Sequence, residues 1–242
     1  MIKLKPFYKV GIAPDVIFLM SEIHVHQVPL TCKPLIEQLQ TDNFDPQALS
    51  DDDLERLKRF DEIGIVYNAP ITHVDLVNFY ELKGWRGTQV LEQLKHTRID
   101  IANYSQDSSY QALLSEKLSL LGFTVNSSSP TLTVNIVERL NQVNDFVTPS
   151  LHVRLGSYIP SVGPLLCSTL TAKALKAKLE IGKKFFEETS FLVNLPPPLK
   201  DLSVGLVAHE ICETVIKGGN HDTYKNIIEW NLANMKRTAW PF

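Results

Sequence analysis

The stretch Arg98–Asn126, RIDIANYSQDSSYQALLSEKLSLLGFTVN, decides the fold of this chain. Arg98–Tyr104 alternates and is apolar enough for a buried strand. Ser108–Leu121 carries Ala112, Leu113, Leu118, Leu120 and Leu121, an apolar face wide enough for a packed helix. Gly122 predicts the helix stop, and Phe123–Val125 the return into the sheet. Strand, turn, helix and strand make the opening unit of an α/β domain of the nucleotide-binding type. The turn lacks the glycines that let bare backbone N–H groups approach phosphate. It reads Ser105-Gln106-Asp107-Ser108-Ser109, and the Asp107 carboxylate repels a phosphate. A nucleotide-binding scaffold is therefore expected without a nucleotide or any other cofactor.

Downstream, Thr131–Val137 predicts a strong strand after a loop at Ser127–Pro130. Glu138–Val147 reads as a short helix or a loop over the sheet edge. Ser150–Leu155 and Ser157–Ile159 read as strands paired around Gly156. Thr171 is placed to cap a helix over Ala172–Phe186. Pro196, Pro197 and Pro198 predict a stiff, exposed spacer. Leu202–Lys217 predicts a helix with Leu206, Val207, Ile211, Val215 and Ile216 apolar, closed by Gly218-Gly219. Asp222–Glu229 is expected to return to the sheet edge.

Upstream, Val74–Leu82 and Thr88–Leu94 read as helices joined by a turn at Gly84-Trp85-Arg86-Gly87. Asn68-Ala69-Pro70 interrupts the pattern, so domains are expected at 1–70 and 71–242. The first begins with β-like runs at Tyr8–Ile12, Asp15–Met20 and Glu22–Val28. Thr31 is placed to cap a helix over Cys32–Leu39, and Asp45-Pro46 to open one further turn. Ser50 precedes Asp51, Asp52 and Asp53, which suit the positive end of a helix dipole. That helix runs Asp51–Glu62, with Leu54, Leu57 and Phe60 on one face, and stops at Gly64 before the extended Ile65–Tyr67. Three strands and then three helices predict a small winged helix-turn-helix.

The bulk numbers exclude several classes. The 242 residues are 44% hydrophobic and 21% charged, with net charge −3, ordinary for a globular protein. That charge gives no basis for nucleic-acid binding. No apolar run reaches the roughly 20 residues that span a bilayer, and MIKLKPFYKV lacks a signal-peptide core. Cys32, Cys167 and Cys212 form neither a disulfide framework nor a zinc knuckle. A cytoplasmic protein without membrane, nucleic-acid or metal partners is expected.

The two halves in this order resemble the E1-like, ThiF-related proteins of azole-forming ribosomal peptide biosynthesis, which partner a YcaO-type cyclodehydratase. Residues 1–68 look like that family's leader-peptide recognition element, through the β-rich start, Leu54-x-x-Leu57 and Gly64-Ile65-Val66. Arg98–Gly122 looks like its entry into the E1 fold. Leu151–Leu166, LHVRLGSYIPSVGPLL, resembles its hairpin, with Arg154, Gly156, Gly163 and Pro164 at matching places. Three features depart. The ATP loop is missing at Ser105–Ser109, only Cys167 follows Gly163-Pro164 where zinc-binding members carry C-x-x-C, and no second C-x-x-C precedes Pro241-Phe242. The resemblance implies peptide recognition and partner binding, without adenylation or zinc. In the family the peptide lies between the third strand and the third helix. The matching residues are Ile23, His24, Val25, His26 and Gln27 on the strand and Leu54, Leu57, Lys58 and Asp61 on the helix. Leu54 and Leu57 at helical spacing equally read as plain core. The fold expected is a winged helix-turn-helix followed by a degenerate E1-like, Rossmann-related domain. The function expected is a non-catalytic, homodimeric subunit that presents a precursor leader to the cyclodehydratase, with a flavin dehydrogenase as a further partner.

Other readings stay open. One is an E1-like adenylating enzyme with an atypical ATP site. Another is a small hydrolase on the helix His209-Glu210-Ile211-Cys212-Glu213, which resembles H-E-x-x-H with Glu213 in place of the second histidine. His209 and Glu213 share a helix face that His221 is placed to join after the turn, and Cys212 lies three residues from His209. His24 and His26 lie on one strand face, but nothing in the sequence completes a metal site around them.

Overall fold

A computed structural model describes residues 2–41, 44–68, 73–138, 149–167 and 193–241. The chain forms two compact units, Met1–Leu91 and Glu92–Phe242. The boundary expected at 70/71 falls within 69–72, outside the described residues, as do 139–148 and the helix expected over Ala172–Phe186.

In the first unit, β2 (Lys9–Ile12), β3 (Val16–Met20) and β4 (Val25–Pro29) form an antiparallel sheet in the order β2-β3-β4. A further strand, β1 (Ile2–Leu4), pairs antiparallel with β5 (Val66–Asn68). β1 escaped sequence reading because the three residues Ile2-Lys3-Leu4 are too short a run to establish a period. The strand expected over Glu22–Val28 starts only at Val25. Glu22 and Ile23 sit in a turn where the Ser21 hydroxyl accepts the Ile23 and His24 N–H groups at 3.4 and 3.1 Å. Thr31 does not cap a helix: Leu30–Cys32 form a 3-10 turn, and α1 runs Lys33–Leu39 with Cys32 ahead of it.

α2 spans Asp51–Glu62 as predicted, and Ser50 Oγ accepts the Asp53 N–H at 3.2 Å. Its end is tied twice. Gly64, at φ +76°, donates to Asp61 O and Ile65 to Phe60 O, both at 3.0 Å, which turns the buried Ile65 back into the core. That core gathers Ile17, Leu19, Val28, Leu35, Leu57 and Phe60, among others. Because Leu57 is only 7% exposed, Leu57→Ala is expected to destabilise the first unit by about 2–4 kcal/mol, read as a lower urea midpoint at unchanged slope. α3 (Val74–Leu82) and α4 (Gly87–His96) follow. Gly87 is required there, because a Cβ would lie 2.3 Å from Val77 O.

Among the described residues the second unit is built on a seven-stranded mixed sheet of Rossmann-like character. Its strands are β6 (Arg98–Asn103), β7 (Thr124–Val125), β8 (Leu132–Ile136), β9 (Ser150–Arg154), β10 (Ser161–Leu166), β11 (Asn226–Asn231) and β12 (Lys236–Pro241), in the order β12-β11-β10-β9-β8-β6-β7. β7, β6, β8 and β9 run parallel, and β9 to β12 alternate. α5 (Ser109–Leu120) ends as predicted, with Gly122 at φ +100° and Phe123 N–H on Leu118 O at 3.1 Å.

Two expectations in this unit are corrected. The strand paired with β9 is not Ser157–Ile159, which is a bend; Ser161 pairs with Arg154 instead. Gly163, at φ +105°, lies where a Cβ would come within 2.6 Å of Asn226 O, so β11 can close against β10 only over a glycine. The proline run is not a spacer. Pro196 precedes α6 (Pro197–Lys217), whose first turn contains Pro197 and Pro198. First-turn N–H groups have no helical partner, so prolines cost nothing there. Among the described residues no helix is long and apolar enough to cross a membrane.

Candidate functional site

Among the described residues β4 is the edge of its sheet, bonded to β3 alone. The direction of its main-chain groups follows from two bonds. Ser21 N–H donates to His24 O at 2.8 Å beside the β3–β4 turn, and Ala13 N–H to Val16 O at 2.9 Å beside the β2–β3 turn. Bonded and non-bonded pairs alternate along an antiparallel ladder. In the register Leu19↔His26 and Ile17↔Val28, His26 and Val28 therefore face β3. Val25, Gln27 and Pro29 turn their main-chain groups to the open edge. Val25 and Gln27 offer both N–H and C=O there, whereas Pro29 offers C=O alone.

The side chains divide as the two-residue period requires. Val25 and Gln27 are exposed, with Val25 at 62%, and Val28 is buried. His26 is half-buried, with Nε2 3.2 Å from the Tyr8 hydroxyl. Burial first and then the neighbouring His24 hold the His26 imidazole below its ordinary range. Ile23 and His24 are exposed in the turn that leads into the edge.

On α2, Leu54, Lys58 and Asp61 are exposed and Leu57 is in the core. At 100° per residue, Leu54, Lys58 and Asp61 share one flank and Arg56 lies on the other. Arg56 joins the helix to the chain leaving β4. Its Nη1 donates to Thr31 O at 3.4 Å and to Asp53 Oδ1 at 2.7 Å. Sequence reading missed Arg56 because a charged residue beside a core leucine looks like an ordinary solvated flank.

At the turn before α5, side-chain oxygens accept the N–H groups of Ser105, Gln106 and Ser109. Ser109 N–H donates to Asp107 Oδ1 at 2.9 Å, and Lys200 Nζ reaches Asp107 Oδ2 at 2.5 Å. Asn103 Oδ1 accepts Ser105 N–H at 2.9 Å, and Glu138 Oε1 accepts Gln106 N–H at 2.7 Å. The Lys200 bond and then the Ser109 hydroxyl hold the Asp107 carboxyl below its usual range.

The helix His209–Glu213 borders a cleft of about 360 Å³ that also touches Lys217, Asn220, Asp222 and Trp230. Its floor is Glu210, 2% exposed. Glu210 Oε1 accepts Trp230 Nε1–H at 2.9 Å and Arg237 Nε–H at 2.7 Å. His221 Nε2 lies 3.4 Å from Glu210 Oε2. His221 Nδ1 accepts the Thr223 N–H at 3.3 Å, so the ring proton sits on Nε2 facing the carboxylate. Burial opposes the Glu210 charge, but bonds from His221, Arg237 and Trp230 overcome it and hold the carboxyl at about 2. His221 thus joins Glu210 rather than the His209–Glu213 face. His209 Nε2 lies 3.5 Å from Glu213 Oε1, and Cys212 is buried. Among the described residues no group of three or more His, Cys, Asp or Glu is arranged to hold a metal.

Solved structures resemble this chain in fold. The heterocyclase TruD matches with a TM-score of 0.70 and 19% identity, over 100% of this chain and 41% of its own. A heterocyclase in complex with substrate and cofactor matches at 0.67 and 15%, over 99% of this chain and 37% of its own. Escherichia coli MccB, solved with AMPCPP and MccA, matches at 0.52 and 11%, over 99% of this chain and 96% of its own. This chain spans about two-fifths of the heterocyclase chains that it matches. No protein-family model and no curated protein matches it.

Proposed function

We propose that this protein binds the leader of a ribosomally made precursor peptide and presents it to a YcaO-type cyclodehydratase that forms azolines. The observation that carries this reading is the open edge of β4, with the main-chain groups of Val25 and Gln27 directed outward and α2 held beside the strand's end by Arg56. An extended peptide adds to such an edge as a further strand, with main-chain bonds supplying affinity and alternate side chains specificity. Pro29 blunts the edge against pairing with a second copy. In an antiparallel pair centred on Gln27, each Pro29 would leave a Val25 carbonyl without a donor.

In this reading residues 1–70 act as a winged helix-turn-helix recognition element, and the Rossmann-like unit serves dimerisation and docking. The fold likeness to heterocyclases and to MccB supports the pathway. Because Asp107 and Lys200 fill the turn before α5, calorimetry with ATP–Mg is expected to give no saturable heat. A saturable isotherm would instead favour an adenylating enzyme.

The direct test is fluorescence polarisation with labelled leader segments encoded by short reading frames beside the gene. Saturable binding by one of them is expected. Failure of all of them against folded protein would overturn the reading.

A further inference from the structure

The open edge has an uneven end. A strand added beside β4 finds N–H donors at Val25 and Gln27 and none at Pro29, the next residue directed outward. The carbonyl of the added strand that comes opposite Pro29 would lose its water and gain no partner. Within two residues of that gap stands the Arg56 guanidinium, whose Nη1 is on Thr31 O at 3.4 Å. Its side chain is 32% exposed and is paired with Asp53, itself 27% exposed. Asp53 is fixed in turn by its N–H on Ser50 Oγ at 3.2 Å and by the Ser50 hydroxyl on Oδ2 at 2.9 Å.

Resting on the peptide-binding reading, we infer that Arg56 is a peptide-binding residue that fixes register, supplying the donor that Pro29 lacks to a main-chain carbonyl of the bound peptide. Nη1 is engaged with Asp53 and Thr31, and the guanidinium carries further N–H donors at Nη2 and Nε. Asp53 neutralises the charge, so the site suits a neutral carbonyl better than a carboxylate. The added strand is then held in one register: two full pairings at Val25 and Gln27, then a carbonyl on Arg56. Sequence reading placed helix recognition on Leu54, Leu57, Lys58 and Asp61. This inference adds Arg56, which reaches the chain just past β4.

A double-mutant cycle tests this, with the polarisation probe that binds wild type. Arg56→Ala is expected to weaken binding roughly tenfold, the loss of one hydrogen bond to a charged donor. Arg56→Gln, which keeps an N–H donor, should recover part of the loss, and Arg59→Ala, exposed and paired only with Glu55 among the described contacts, should change binding less than twofold. Pro29→Ala restores an N–H at the gap. In that background Arg56→Ala should cost no more than about twofold. Equal losses in the two backgrounds, or no loss on Arg56→Ala while wild type binds, overturn the assignment and leave peptide binding standing. Absence of wild-type binding removes the peptide-binding reading itself. Circular dichroism and melting of each variant separate lost recognition from lost fold.

Discussion

Gln27→Pro is expected to weaken leader binding roughly 30-fold or more while leaving the first unit folded. The Gln27 N–H points to the open edge and takes no part in the β3–β4 ladder, so its loss leaves the sheet intact. For an incoming strand the same change removes a donor and sets a pyrrolidine ring in its path. One lost main-chain bond contributes about 1 kcal/mol, and the displaced strand loses its neighbouring bond as well. Together these approach 2 kcal/mol, which corresponds to the stated factor. His26→Pro is the contrasting variant. The His26 N–H faces β3 across from Leu19, so proline there breaks the sheet and should lower the melting temperature. Binding by Gln27→Pro within threefold of wild type would show that the peptide does not use this edge. Leu57→Asp would not discriminate, because a charge buried in that core unfolds the unit whatever the site does.

Glu210→Ala is expected to destabilise the second unit by about 3 kcal/mol. Breaking a buried ion pair costs roughly 3–5 kcal/mol when the remaining charge is stranded. The low end applies here, because the Arg237 side chain is 33% exposed and still meets Asp222 at 3.0 Å. Trp230 and His221 also lose their acceptor, so the β11–β12 hairpin loses its ties to α6. The Glu210 contribution depends on pH in a set direction. Its folded value, about 2, lies below the ordinary glutamate value of 4.5, so the stabilisation is complete above 4.5 and is lost as pH falls towards 2. His152 acts earlier. Burial holds it at about 4 against 6.5, with Pro164 opposing weakly. The unfolded chain therefore takes a proton between pH 6.5 and 4 that the folded chain refuses, and stability declines across that interval too. Denaturant midpoints measured from pH 7 to 2.5 should fall in both windows in wild type. In Glu210→Ala the lower-window fall should shrink. An unchanged lower window would mean that Glu210 is not the ionised anchor of the hairpin.

Local chemistry was legible in the chain itself. Ser50 with three aspartates after it, Gly64 and Gly122 act within a few residues of themselves, so α2 and the ends of α2 and α5 could be read without tertiary information. The missing glycines at Ser105–Ser109 were equally local. Elements defined by a distant partner were not. β1 exists because Val66–Asn68 returns beside it, and β12 because β11 lies beside it. Pro196–Pro198 reads as a spacer until packing supplies the helix that those prolines open.

The same divide runs through the candidate site. Alternation along residues 25–28 separates the exposed Val25 and Gln27 from the inward His26 and Val28, because side-chain direction depends on the strand alone. Which main-chain groups are left over depends on the register with β3. Which flank of α2 reaches the strand depends on how the helix is rolled over its core. The sequence by itself determined the helix caps, the strand periods and the chemistry absent from the turn at Ser105–Ser109. Only the tertiary structure decided that Arg56 meets Thr31, that Lys200 fills the turn before α5 and that His221 joins Glu210. Each of those pairings brings together residues whose separation along the chain carries no record of their distance in space.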